Sequence, residues 1–109
     1  MSQLIDTNRQ DWQPVRPEFT QGVWGKALLD GATKIVLTRV EPGGVFPPHR
    51  DRHGHLFHVL SGVGLVQLGE HWVEVGTGIC LQIAAGELHG YENTGSEDLL
   101  LISANLPVD

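Results

Sequence analysis

The sequence predicts an all-β fold built from many short strands. Fourteen glycines and six prolines fall as punctuation between short segments, and those segments alternate apolar and polar residues, the period-2 pattern of strands with one buried face. Lys34 to Val40 alternates well, and Leu56 to Leu60 and Gly64 to Leu68 flank the pair Ser61-Gly62. His71 to Val75 follows a Gly69-Glu70 turn, Ile79 to Ile83 precedes Ala84-Ala85-Gly86, and Leu99 to Ala104 is the last alternating run. Strands at this spacing point to a sandwich or barrel. Residues 1–25 differ, because Trp12, Pro14, Pro17, Phe19 and Trp24 stand among polar residues with no clear period. They predict an extended N-terminal arm that lies on a surface, ahead of a single barrel domain over residues 26–109.

A chain of 109 residues has room for one domain with one core. Its 40% apolar content, 18% charged residues and formal charge of -6 describe an acidic globule. No basic stripe is present to neutralise phosphates and no polybasic segment to meet an anionic membrane, so neither nucleic acid nor membrane is an expected partner. No apolar run approaches a membrane span of roughly 18 residues, and Met1 to Thr7 lacks the basic and apolar regions of a signal peptide. The expected location is the cytoplasm, and the lone Cys80 asks for no oxidising compartment.

Four of the six histidines, His49, His53, His55 and His58, fall within ten residues, and His89 follows in a second β segment. Imidazole and carboxylate are the usual ligands of Zn, Fe, Mn, Ni and Cu, and a cluster drawn from two β segments can close round one ion. On a strand His49 and Asp51 point the same way with Cα atoms about 6.6 Å apart, while Arg50 and Arg52 face outward. Gly54 supplies a turn that returns the chain, so that His55 lies across from the Asp51 region at about 5 Å and shares its face with Phe57 and Val59.

The same residues carry a family resemblance. Gly43, five residues, His49, one residue, Asp51, three residues, His55, six residues and Gly62 resembles the first cupin motif, with Asp in place of its second His and His in place of its Glu. Gly78, five residues, Ala84-Ala85-Gly86, two residues, His89, three residues and Asn93 is similar to the second motif, with Ala for Pro at position 84. Fifteen residues separate Gly62 from Gly78, resembling the spacing of small bacterial single-domain cupins. The resemblance covers about residues 30–105. It implies a jelly-roll barrel, a double-stranded β-helix, with one divalent ion (Fe, Mn, Ni or Zn) in its mouth, held by His49, Asp51, His55 and His89. Cupins usually offer three histidines and one glutamate. This chain keeps three histidines and one carboxylate but moves the carboxylate to the second motif position, where the shorter Asp51 serves either as a ligand or as a group that orients an imidazole N–H.

Each residue also has a plain structural role to weigh. The three motif histidines could be hydrogen-bonded barrel residues, and Asp51 a surface ion pair with Arg50 or Arg52. His53 suits a solvent-facing turn, His58 the outer side of its sheet, His71 the surface, and Cys80 a small buried site. Tyr91, two residues beyond His89 on the same strand face, fits either the core or the pocket wall.

Function is expected along one of two lines. The first is a metal-dependent dioxygenase, isomerase or lyase acting on a small polar molecule, with Tyr91, Gln82 or a bound hydroxide as base. The second is a sensor that binds a sugar or organic acid, or a purely structural metal site. The order His49-X-Asp51 with distant His89 also resembles the facial triad of 2-oxoglutarate-dependent iron oxygenases. Those enzymes resemble one another in carrying an Arg or Lys after the distal His, and this chain has neither beyond Arg52. Trp12, Phe19 and Trp24, without a core of their own, further predict a homodimer.

Overall fold

The computed structural model describes residues 2–107. Nine strands follow a 3-10 turn at Thr7–Arg9: β1 (Gln13–Pro14), β2 (Gln21–Asp30), β3 (Lys34–His49), β4 (His55–Ser61), β5 (Val63–Leu68), β6 (His71–Gly76), β7 (Cys80–Ile83), β8 (His89–Glu92) and β9 (Leu99–Asn105). All the pairings are antiparallel, in the order β6-β5-β8-β3-β9-β4-β7, with β2 on β3 and β1 on β2. This sheet curls into a jelly-roll barrel. No described helix is long and apolar enough to cross a membrane.

The long strand β3 turns the barrel's corner. Its first half, Lys34–Val40, pairs with β9 and β2, and its second half, Val45–His49, pairs with β8. Between them lies Pro42-Gly43-Gly44, where Gly43 has φ +78°, a left-handed conformation that costs an L side chain energy. The bend is pinned from inside by Asn93, which is 3% exposed. Its Nδ2 donates to Val40 O at 2.8 Å and Glu97 O at 2.7 Å, its backbone N–H donates to Gly44 O, and its Oδ1 accepts from Gly95 N–H. Asn93, the last residue of the second motif, therefore fastens the β8–β9 loop to the corner of β3.

Alternation fills the interior. Val40, Phe57, Val59, Leu99 and Leu101 point into one core, which Phe46, Val66 and Tyr91 continue from the facing strands. The outward positions of the same strands include Leu56 and Leu60, which are exposed.

The segment expected as an arm lies on the barrel and contributes strands to it. Gln21–Gly25 is the first half of β2, and β1 pairs with β2 through Gln13↔Gly25 and Pro14↔Trp24. Gly25 permits this close approach, since a Cβ there would stand 2.9 Å from Val36 Cγ1 and 3.0 Å from Val15 Cγ2. Trp12 is held between cations, with Lys26 Nζ 4.5 Å and the Arg39 guanidinium 4.7 Å from its ring. Trp24 donates its indole N–H to Glu41 at 2.9 Å, and Phe19 packs edge-on against Phe46. These aromatics thus have partners within their own chain.

Candidate metal centre

Four side chains meet at one end of the barrel. His49 ends β3, His89 opens β8 as its register partner, and His55 opens β4 opposite both Ile83 and Asn105. Pro47-Pro48 cannot donate to the ladder, and a register shift between Phe46 and His49 brings His49 face to face with His89. Asp51 lies just past the end of β3, in the connection to β4. That connection is tied to the β7–β8 loop, where Gly86 N–H donates to Asp51 O at 2.9 Å and Arg50 donates to Gly86 O at 2.8 Å.

The three imidazoles are oriented alike. His49 Nδ1–H donates to Pro47 O at 3.0 Å, His89 Nδ1–H to Glu87 O at 2.8 Å and His55 Nδ1–H to Asn105 Oδ1 at 3.1 Å. With the proton fixed on Nδ1, each neutral ring directs the lone pair of Nε2 inward. All three Nε2 atoms converge on Asp51 Oδ2, at 2.8 Å from His55, 3.0 Å from His49 and 3.4 Å from His89. Ligands about 2.0–2.2 Å from a common ion stand roughly 3.0–3.5 Å from each other, a spacing that the three Asp51–imidazole separations approach. In the Nδ1–H tautomer three lone pairs and a carboxylate facing one another repel unless protons or a metal cation lie among them, and the donor set fits a divalent ion on that ground. The group whose ligand atoms all lie within 4.8 Å of one another is His49, Asp51 and His89, and His55 Nε2 meets it through Asp51 Oδ2.

The electrostatics follow from burial and from this crowding. Burial, with the neighbouring His49 and His55, holds His89 below the usual imidazole pKa, against the pull of the Glu87 carbonyl and Asp51. For Asp51 burial alone would raise the carboxyl, but in the ion-free site a hydrogen bond from His55, donated when its Nε2 carries a proton, and the charge of the three imidazoles outweigh it and hold the pKa low. Both effects favour the forms that ligate, neutral imidazole and carboxylate.

The site forms part of the wall of a cavity of about 490 Å³, within the usual range for small-molecule sites. Phe46, Phe57, Tyr91, Val36 and Ala27 give it apolar sides, and Thr38, Ser103 and Asn105 supply polar groups. Phe46 stacks on His49 at 4.6 Å and 25°, and Tyr91 is wedged between Phe46 and Phe57. Burial raises the Tyr91 phenol well above its ordinary pKa, so at neutral pH it is a neutral hydrogen-bond donor, neither a ready base nor a ready acid.

The remaining expected residues fall outside the centre. His53 is exposed at the cavity rim, His58 is half-buried on the outer face, and His71 is exposed. Gln82 is exposed on β7 and does not line the cavity, which removes it as a base. Cys80 is also exposed, not buried, because it sits at an outward position of the edge strand β7 opposite His58. Sequence reasoning missed Asn105, although it continues the inward alternation Leu99, Leu101, Ser103 along β9, and missed Arg16, which no periodicity marks.

Solved structures share this fold closely. The polyketide cyclase RemF from Streptomyces resistomycificus aligns with a TM-score of 0.88 at 24% identity, covering 96% of this chain and 79% of that one. A predicted oxalate decarboxylase from Thermotoga maritima gives 0.88 at 18% identity, covering 96% and 99%. KdgF from Halomonas sp. gives 0.83 at 20% identity, covering 96% and 94%. At these identities the likeness is one of fold. No curated protein sequence matches the chain. The model of the cupin domain family Cupin_2 matches residues 36–105, which span both motifs and all four converging side chains, and the chain belongs to that family.

Proposed function

We propose that this cupin is a metal-dependent enzyme acting on a small polar molecule, with one divalent ion held by His49, Asp51, His55 and His89. The observation that carries the reading is the convergence of three Nδ1-anchored imidazoles on one carboxylate oxygen in the wall of a cavity. Because every Nδ1 already has an acceptor, Asp51 meets the rings at Nε2, where a fourth ligand belongs and an orienting group does not. Three nitrogens and one oxygen suit Fe(II), Mn(II), Ni(II) or Zn(II), and cysteine, the mark of structural zinc sites, takes no part. A divalent ion there would supply Lewis acidity, or redox chemistry were it iron.

The chain's own residues bind and orient. The apolar walls exclude water, Thr38, Ser103 and Asn105 offer polar contacts, and the neutral Tyr91 phenol offers a hydrogen-bond donor. This supports a dioxygenase, isomerase or lyase over a structural ion site, since a closed structural site has no use for an adjoining cavity. A binding module without turnover is the competing reading, and the open cavity suits it equally.

Metal analysis of untagged protein tests the proposal. One equivalent in the parent and its loss in His89→Ala is the expected result, and equal metal in both would refute it. Oxygen uptake during substrate screening of iron-loaded protein then separates a dioxygenase from an isomerase or lyase, and tight ligand binding without any turnover would establish the binding module. The proposal also takes the chain as a homodimer, now supported by the exposed Leu56 and Leu60 on the outer sheet face rather than by the N-terminal aromatics. Light scattering should return about twice the 11.9 kDa chain mass.

A further inference from the structure

Arg16 lies on the turn between β1 and β2 and lines the same cavity as the four converging side chains. Among the described residues it is the only non-glycine with a positive φ, at 46°. Left-handed backbone in an ordinary L residue persists only where its surroundings hold it, and such residues cluster at binding sites. Here the hold is visible. The Arg16 carbonyl accepts from Phe19 N–H at 2.8 Å and Thr20 N–H at 2.9 Å, and the buried Thr20 hydroxyl closes the turn onto Arg16 O and Val15 O.

The side chain rests on an aromatic platform that leads to the metal ligands. Its guanidinium carbon stands 4.5 Å from the Phe19 ring centroid and 5.8 Å from that of Phe46, and Phe46 stacks on His49. Yet its charge has no partner: among the described residues no carboxylate lies within 4.0 Å of it and it donates no side-chain hydrogen bond. Lys34, the other cation lining the cavity, also has no carboxylate within 4.0 Å among the described residues, but it lies at the start of β3 opposite Asp30, whereas Arg16 sits on the rings that lead to His49. In a chain of net charge -6, an anion entering this cavity needs a local anchor, and Arg16 is the cation seated on the aromatic path to His49.

We infer that Arg16 is a specificity-determining residue that takes the carboxylate of a small organic acid whose other end lies at the His49, Asp51, His55 and His89 site. This rests on the proposed function above and adds the substrate class to it. A guanidinium presents a planar fork that pairs two N–H groups with the two oxygens of a carboxylate. Phe19 and Phe46 lie beside the Arg16 guanidinium carbon, and none of that group's N–H donors is bonded to another described residue. The wall between the two ends is apolar, which fits a short carbon chain, and a single fork matches one carboxylate better than a phosphate.

The test is calorimetric titration of zinc-loaded protein with malonate, succinate and glutarate, and with the corresponding neutral diamides. At least one diacid should bind, and its diamide should bind about tenfold more weakly or not at all. Arg16→Gln should weaken the diacid about tenfold or more without changing zinc stoichiometry, and Arg16→Lys, which keeps charge but loses the fork, should fall between. The inference is overturned if no diacid binds, if the diamide binds as well as its acid, or if Arg16→Gln binds like the parent. Should Arg16→Gln fail to fold, Arg16→Lys decides alone: unchanged diacid affinity refutes the fork. If zinc itself does not bind, the proposed metal site falls, and the same titrations of the metal-free chain still read Arg16 directly.

Discussion

His49 and His89 are register partners across the β3–β8 ladder, and their ring centroids stand 4.3 Å apart. Two of the four proposed ligands are therefore spaced by backbone pairing, so that any wedge between these strands alters the site without touching a ligand. Gly90 is where a wedge can be driven, because a Cβ there would lie 2.7 Å from Phe46 O and 2.9 Å from Pro48 N.

Gly90→Ala should lower stability by about 1–3 kcal/mol, the usual cost of overpacking, and weaken metal binding disproportionately. Competition titration against a chelator, with thermal unfolding of the metal-free protein alongside, reads both effects. Unchanged metal affinity would show that the β3–β8 spacing does not set the site.

Asn105 fixes His55 by accepting its Nδ1–H. Asn105→Ala frees the ring to turn or to change tautomer and should reduce metal affinity about 10- to 100-fold, while Asn105→Asp, which retains an acceptor, should restore most of it. Equal affinities in all three proteins would mean that strand position alone orients His55.

The strands and the proposed ligands were legible in the sequence to different degrees. Alternation exposed β4, β5, β6 and β9 because Val, Leu and Phe occupy their inward positions. It missed β2, whose inward positions include Gly25 and Ala27, too small to mark a face, and it ended β3 at Val40 because Pro42, Gly43, Gly44, Pro47 and Pro48 read as turn signals. Those residues in fact bend and bulge a continuing strand, since β3 has to change partners from β9 to β8. Motif spacing located His49, Asp51, His55 and His89 together. It could not show that Asp51 lies beyond the strand and yet reaches all three rings, which depends on the ties between its loop and Gly86.

Acidification should destabilise the metal-free protein. The folded pKa of His89 is below its unfolded value near 6.5, so the unfolded chain takes up the proton first. This contribution is constant above about pH 6.5 and turns unfavourable as the pH falls below it, by at most about 1.4 kcal/mol per pH unit. Asp51, lowered from 3.8, adds stability above that value and loses it only as the pH falls through its still lower folded pKa. Between pH 7.5 and about 5 this response therefore belongs to His89. Urea unfolding in the presence of a chelator should show a flatter profile in His89→Phe than in the parent, and identical profiles would remove His89 as the source.

Asn93 separates the stability of the scaffold from the chemistry of the site. It is buried at the corner of β3, bonded to Val40, Glu97 and Gly95 by its side chain, and absent from the cavity wall. Asn93→Ala strands two carbonyls and one N–H, at a cost of about 2–4 kcal/mol. In a domain of this size that corresponds to a fall in Tm of roughly 10 °C or more. At temperatures where the variant remains folded its metal stoichiometry should equal the parent's, because the ligands hang from the far end of β3 and the start of β8. Metal loss in a fully folded Asn93→Ala protein would show instead that the corner and the mouth of the barrel are mechanically one unit, with the bend at Gly43 transmitted along β3 to His49.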